Sequence, residues 1–358
     1  MSAVPARNVP LARYTTLGLG GPAAAFVTAR DTTELVAAVT AADAAGDALL
    51  VLGGGSNLVI SDAGFPGTVV HVASQGIDLR AGADGTVRVR ASAGVDWDTL
   101  VARCVAEGLS GVECLSGIPG RVGSTPIQNV GAYGQDVSET VTEVLVHDRA
   151  AGVSRTLSNA DCAFSYRDSV FKGTDRYVVC EVVFELTRSP LSRPIRYAEL
   201  ARTLGVRPGE RVPLADAREA VLRLRRGKGM VLDPDDPDTR SAGSFFTNPL
   251  LDQDAFTELR KRVAERLGPD VEPPAYPEPD GRVKTSAAWL IDRAGFAKGH
   301  GTGPARISGK HPLALTNRGG ASTADLLALA REVRAGVAEA FGVTLVNEPV
   351  MVGVTLDG

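Results

Sequence analysis

The chain has 358 residues, of which 44% are hydrophobic and 22% charged, the composition of a globular protein with room for two or three domains. A formal net charge of −4 and a pI near 5.7 exclude a polybasic partner for nucleic acid or an anionic membrane. There is no run of about 18 apolar residues and no apolar core near Met1–Tyr14, so a cytoplasmic protein without a membrane span is expected.

Cys104, Cys114, Cys162 and Cys180 stand far apart and form no C-x-x-C pair. That fits buried thiols in a reducing compartment and excludes a disulfide framework or a structural zinc site. His71, His147, His300 and His311 lack metal-ligand spacing, and no metal is expected. The 40 glycines cluster in loops without a repeat, which points to backbone approaching a ligand in several places.

In chain order, Ala23–Thr28 reads as a strand. Asp31 caps a helix that runs to Ala45 and stops at Gly46. Strand Ala48–Leu52 leads directly into Gly53-Gly54-Gly55-Ser56-Asn57. Consecutive bare amides beside Ser and Asn donors suit a pyrophosphate, and a plain turn between strands is the other reading. The run is neither G-x-G-x-x-G nor a P-loop, because Val59–Asp62 opens no helix. Val69–Ala73 and Val87–Ala91 are strand-like, and Trp97–Ala106 is a helix ending at Gly108. Ser116–Gly134 then carries five glycines and two prolines with no period, as expected of a loop that wraps a flat ligand.

Strands are expected over Thr140–Val146 and Tyr177–Leu186. Between them Arg167 offers a guanidinium suited to bidentate carboxylate recognition, or it forms a surface pair with Asp168. Arg188–Pro213 reads as a loop or lid bearing Tyr197, Asp216–Arg226 as a basic helix, and Asp233–Asp238 as a solvated acidic loop. Asp254–Leu267, Ser286–Ala294 and Ser322–Phe341 read as helices. Gly299–Gly303 resembles a nucleotide loop but follows no strand. Val343–Val346 and Val350–Val354 read as strands around Glu348, whose charge serves either a site or an edge strand beside Pro349.

The most unusual stretch is Ser241-Ala242-Gly243-Ser244-Phe245-Phe246-Thr247-Asn248-Pro249. It places a hydroxyl beside a flexible glycine and two large aromatic side chains. That suits proton delivery away from bulk water; a tight turn pinned by buried Phe is the bland alternative.

Taken together, Gly53–Asn57, Ser116–Gly134, Tyr166–Lys172, Ala242–Pro249, Trp289–Asp292 and Glu348–Pro349 resemble the UDP-N-acetylenolpyruvoylglucosamine reductase (MurB) family, in the family's order and over nearly the whole chain. The resemblance implies an α+β fold. An FAD-binding part of the vanillyl-alcohol-oxidase (PCMH) type would comprise residues 1–75, joined by the 345–358 strand segment, and residues 76–225. A smaller α+β substrate domain would cover 226–344. The resemblance also implies non-covalent FAD, NADPH as co-substrate and UDP-N-acetylglucosamine enolpyruvate as substrate, in a monomer.

By the same resemblance, Gly53, Gly54, Gly55, Ser56 and Asn57 would take the pyrophosphate. The rest of the cofactor would lie against Ser116, Gly117, Ile118, Pro119, Gly120, Gly123, Ser124, Asn129, Gly131 and Tyr133. Tyr197, Lys228, Asn248 and Lys284 would bind substrate. Arg167, Ser244 and Glu348 match the catalytic positions: Arg167 to stabilise an enolate, Ser244 to protonate its carbon with Lys228 assisting, and Glu348 to position Arg167 or share in that stabilisation. The segment around Tyr197 matches the family's long-form substrate loop less closely. Two other readings predict different behaviour. A non-catalytic nucleotide-binding module would hold no flavin, and another flavin oxidase would need no enolpyruvyl substrate.

Overall fold

The computed structural model describes residues 5–357; residues 1–4 and 358, at the outer limits of the expected domains, lie outside them. Two compact units emerge. Of the described residues, the first contains Ala23–Gly54 and Pro66–Val231 with the stretch 5–9; the second contains Pro10–Pro22, Gly55–Phe65 and 232–357.

The first unit is built on a six-stranded antiparallel sheet. Its order is Val153–Ser158, Val141–Asp148, Tyr177–Arg188, Thr86–Ser92 and Ile77–Ala81, with Leu109–Ser110 pairing the end of Tyr177–Arg188. Tyr177–Arg188 is central because its sequence is apolar on both faces: Val178, Val179, Cys180, Val182, Val183, Phe184 and Leu186 are all buried. Its register sets Val182 against Ala91 and Val146 against Val179. Ile77–Ala81 and Val153–Ser158 escape the sequence reading because they are polar edge strands, where alternation is weak. A second sheet sets Phe65–Val72 between Pro22–Ala29 and, in parallel, Leu49–Leu52. Asp31 accepts from the Glu34 amide to start helix Thr32–Ala45, and left-handed Gly46 ends it, as its sequence requires.

Two corrections concern this unit. Ser116–Gly134 is not structureless: it holds the turn Val122–Ser124, and Gly131–Ala132 pairs with Gln135–Asp136. Arg188–Pro213 is not all loop, since Ala198–Leu204 is a helix whose buried Leu200 and Ala201 pack with Val221 and Ile195. Four apolar residues in one seven-residue helix, flanked by arginines and prolines, are too few to show a period, and tertiary burial decides the outcome.

The second unit packs helices Gln253–Leu267, Ala287–Arg293 and Thr323–Phe341 around Phe245, Phe246, Leu290, Leu326 and Val337. Ser322 and Asp325 form a reciprocal capping box at the start of the long helix, an arrangement that contributes about 1 kcal/mol. Val350–Val352 pairs in parallel with Leu58–Ile60, whereas Val343–Val346 forms no strand. Val343 and Leu345 instead turn into the core, and the Val346 carbonyl accepts from Thr247. The acidic loop is also more than solvated surface. Asp238 is buried against Arg318 and the Gly309 amide, and Asp236 pairs with Lys310. Among the described residues no helix is long and apolar enough to cross a membrane, and all four cysteines are buried and unbridged.

Candidate active site

The two glycine-rich stretches of the first unit meet backbone to backbone. A Cβ on Gly54 would lie 2.8 Å from the Gly120 Cα, and one on Gly53 would lie 2.8 Å from the Ser124 hydroxyl. A side chain at Gly54 would push the loops apart, and one at Gly53 would displace the Ser124 hydroxyl. Gly123 packs its bare face on Ala93 in the same way, and its amide donates to the Ala93 carbonyl at 2.9 Å. Among the described residues, the amides of Gly54, Ile118 and Gly120 donate to no protein acceptor. Buried or half-buried amides of this kind call for an acceptor from a ligand, so the residues present fit the phosphates of a dinucleotide cofactor. The hydroxyl of Ser116 is already engaged with the Glu113 carbonyl at 2.6 Å. The half-buried Ile118 and Pro119 carry the chain to Gly120, at φ 127°.

Three of the six described non-glycine residues with positive φ are site candidates: Asn129, Tyr133 and Arg167. Such strain costs about 1–3 kcal/mol each and persists only where the surroundings impose it. Here Arg167 donates to the Gly131 carbonyl at 2.7 Å and to that of Asn129 at 3.4 Å, while Lys172 donates to the Arg167 carbonyl at 2.6 Å. Asn129 in turn donates to the Ser165 carbonyl and accepts from the Ser138 amide. A Cβ on Gly131 would displace the Asp136 carboxylate. Arg167 is therefore held by the very loop predicted to wrap the cofactor.

Tyr133, Tyr197 and Lys228 also come together. The two rings meet edge to face with centroids 5.4 Å apart, and the Lys228 ammonium lies 5.7 Å from the Tyr133 ring. Burial raises the Tyr133 pKa, so the phenol stays neutral. Lys228 is bound to Glu199 at 2.6 Å, a partner the sequence reading missed because it lies in the overlooked helix. Also missed was Asp98. Its carboxylate accepts from the Gly117 amide at 2.6 Å and from both Nη atoms of Arg218, at 2.7 and 2.8 Å. Burial opposes ionisation of Asp98, but the Arg218 and Gly117 bonds outweigh it and leave the pKa lowered.

In the second unit, Ser244 follows Gly243, which has φ 73°. Phe245 and Phe246 are each 1% exposed and meet edge to face with centroids 5.1 Å apart. The backbone is fixed on both sides of the hydroxyl. The Phe245 amide donates to the Leu313 carbonyl at 2.7 Å, and the Thr16 hydroxyl donates to the Ser241 carbonyl at 2.6 Å. Ser244 itself is half-buried. The Glu348 amide donates to the Phe245 carbonyl at 2.9 Å, and the Asn57 side chain donates to the Glu348 carbonyl at 3.5 Å. Ser244, Glu348 and Asn57 are thus neighbours through backbone bonds. Gly55 and Ser56 precede Asn57; a Cβ on Gly55 would collide with the Tyr14 carbonyl. The other predicted substrate residues have local partners: the Asn248 side chain accepts from the Ala287 amide at 3.0 Å, and Lys284 pairs with Glu278 at 2.5 Å.

Fold and cradle together define a flavoprotein: the FAD binding domain family model matches residues 23–158. The UDP-N-acetylenolpyruvoylglucosamine reductase C-terminal domain model matches residues 235–352. The chain is 72% identical over 351 residues to UDP-N-acetylenolpyruvoylglucosamine reductase of Thermobifida fusca, covering 98% of this chain and 99% of that protein. It is 64% identical to the Streptomyces coelicolor protein of the same name, over 98% and 90%. Among solved structures, the UDP-N-acetylenolpyruvylglucosamine reductase (MurB) of Thermus caldophilus matches with a TM-score of 0.66 at 28% identity, over 97% of this chain and 98% of that one. The chain belongs to the UDP-N-acetylenolpyruvoylglucosamine reductase family and is an FAD-dependent oxidoreductase.

Proposed function

We propose that this protein reduces UDP-N-acetylglucosamine enolpyruvate to UDP-N-acetylmuramate for peptidoglycan synthesis, with NADPH as the source of reducing equivalents. FAD, when bound, supplies the hydride that reaches the enolpyruvyl methylene carbon. Gly53–Asn57, the Ser116–Ser124 loop, Asn129, Gly131 and Tyr133 hold that cofactor non-covalently. Ser244 gives its hydroxyl proton to the adjacent carbon, which bears the carboxylate. Arg167 stabilises the negative charge that gathers on that carboxylate, and Glu348 supports this stabilisation. Tyr197, Lys228, Asn248 and Lys284 bind the nucleotide-sugar portion. The same reading assigns residues 1–75 with 345–358, and 76–225, to the cofactor-binding part and 226–344 to the substrate part. It takes the protein to be a cytoplasmic monomer.

The observation that carries the proposal is the Ser244 hydroxyl, half-buried on a backbone pinned by two buried Phe side chains. A hydroxyl held at one place by a fixed backbone and still open to a ligand is suited to giving up a proton. The test is the visible spectrum of the purified protein under anaerobic conditions. Flavin bands should bleach with NADPH and return on adding the enolpyruvyl substrate. Bands that return only with oxygen would refute the proposed substrate.

A further inference from the structure

We propose that Arg225 binds a phosphate of a pyrophosphate ligand at the Gly117 corner of the first unit. The inference rests on the dinucleotide reading of that loop and names a residue outside the set above. Arg225 lies in the last turn of helix Leu214–Gly227. Its Nη2 donates to the Met230 carbonyl at 2.8 Å, while its Nε is sealed from solvent and has no partner. A Cβ on Gly117 would lie 3.6 Å from that Nε, so the guanidinium rests against bare backbone.

The neighbouring charges are spoken for. Asp98 is filled by both Nη atoms of Arg218 and by the Gly117 amide. Glu199 takes Lys228. Of the three cations in this cluster, Arg218 and Lys228 have a carboxylate and Arg225 has none among the described residues. Asp98 acts on Arg225 only at a distance, and a sealed guanidinium nitrogen with no acceptor is unfavourable unless an anion completes the site. Burial accordingly pulls the Arg225 pKa down to about 10, and the group remains a cation at neutral pH. A planar fork beside a glycine backbone suits phosphate oxygens. Both FAD and a UDP-sugar carry a pyrophosphate, and the experiment separates them.

The test uses the full-length holoenzyme with Arg225→Gln and Arg225→Lys. FAD release on dilution is followed by flavin fluorescence at several salt concentrations, and UDP is titrated into the FAD-loaded protein by calorimetry. Arg225→Gln should weaken the affinity for one ligand by about 10- to 100-fold, the loss expected for a charge-assisted hydrogen bond. It should also flatten the salt dependence for that ligand, which a helix-end role alone would not do. Loss of FAD with UDP unchanged assigns the cofactor's pyrophosphate; the reverse assigns the substrate's. Unchanged affinity for both, in a variant with the wild-type melting curve, overturns the proposal. Should Arg225→Gln fail to fold, Arg225→Lys decides: loss of either affinity supports the guanidinium fork, and no change in both overturns it. A wild-type chain that held no flavin would sink the cofactor reading separately, and the UDP titration would still test Arg225.

Discussion

The two units hold their candidate residues by different means. In the first, side-chain charges fix the site: Arg218 clamps Asp98, which holds the Gly117 amide, and Glu199 fixes Lys228. In the second, backbone and aromatic burial do so: Phe245 and Phe246 are inside the core, and main-chain bonds tie Ser244's neighbours to Leu313 and Glu348. The difference suits two tasks. A site for phosphates needs several donors, and the ion pairs hold in place the loop and helix that present them. A proton donor needs one hydroxyl at one position, and a backbone locked by packing is the stiffer support.

The comparison can be broken most sharply at Ser244. Ser244→Ala should leave the flavin reducible by NADPH but slow its reoxidation by enolpyruvyl substrate by about 10²–10⁴-fold, the range for a lost general acid. Stopped-flow absorbance separates the two half-reactions, and two intact ones would remove Ser244 from the chemistry. Arg167→Ala should slow the same reoxidation by about 10²-fold or more, the cost of losing a preorganised charge stabiliser. A loss confined to flavin reduction would contradict that role.

Stability sharpens the contrast. Phe245→Ala should cost about 3–5 kcal/mol in urea unfolding, as expected for truncating a buried aromatic. If the second unit is aromatic-pinned, this change should also disable reoxidation while leaving FAD bound. The smallest effect is expected in the first unit at Asp148, a buried carboxylate shared by Arg176 and Arg155. The Arg176 hydrogen bond, aided by the Ala151 amide and Arg155, draws its pKa down to about 2. Because the folded value lies below the unfolded one of about 3.9, this stabilisation is present above pH 4 and is lost as the pH falls towards 2. Asp148→Asn should therefore melt below wild type at pH 7, and the two melting curves should converge near pH 2. Curves that stay equally far apart would show that the carboxylate's charge is not what counts.

Much of the molecule was legible before any coordinates. Helix Thr32–Ala45 carries its own start and stop in Asp31 and Gly46, and Trp97–Ala106 and Thr323–Phe341 show a clear apolar period. These features are local, so the order of residues suffices to reveal them. Gly54 and Ser244 stood out for the same reason, since a glycine run or a Gly-Ser-Phe-Phe string is unusual in itself.

What the order of residues left open was pairing across long separations. Asp98 and Arg218 are 120 positions apart, Glu199 sits in a helix too short and too charged to show a period, and Arg225 is one of several arginines in a basic run. Whether a given arginine is solvated or sealed depends on what packs over it, and sequence distance carries no record of that. Sequence alone determined the longer helices and the principal strands, because propensity, capping and turn chemistry act over a few residues. Tertiary structure alone decided which charges became partners and left the Arg225 Nε without one, because burial and Coulomb energy depend on distance in space.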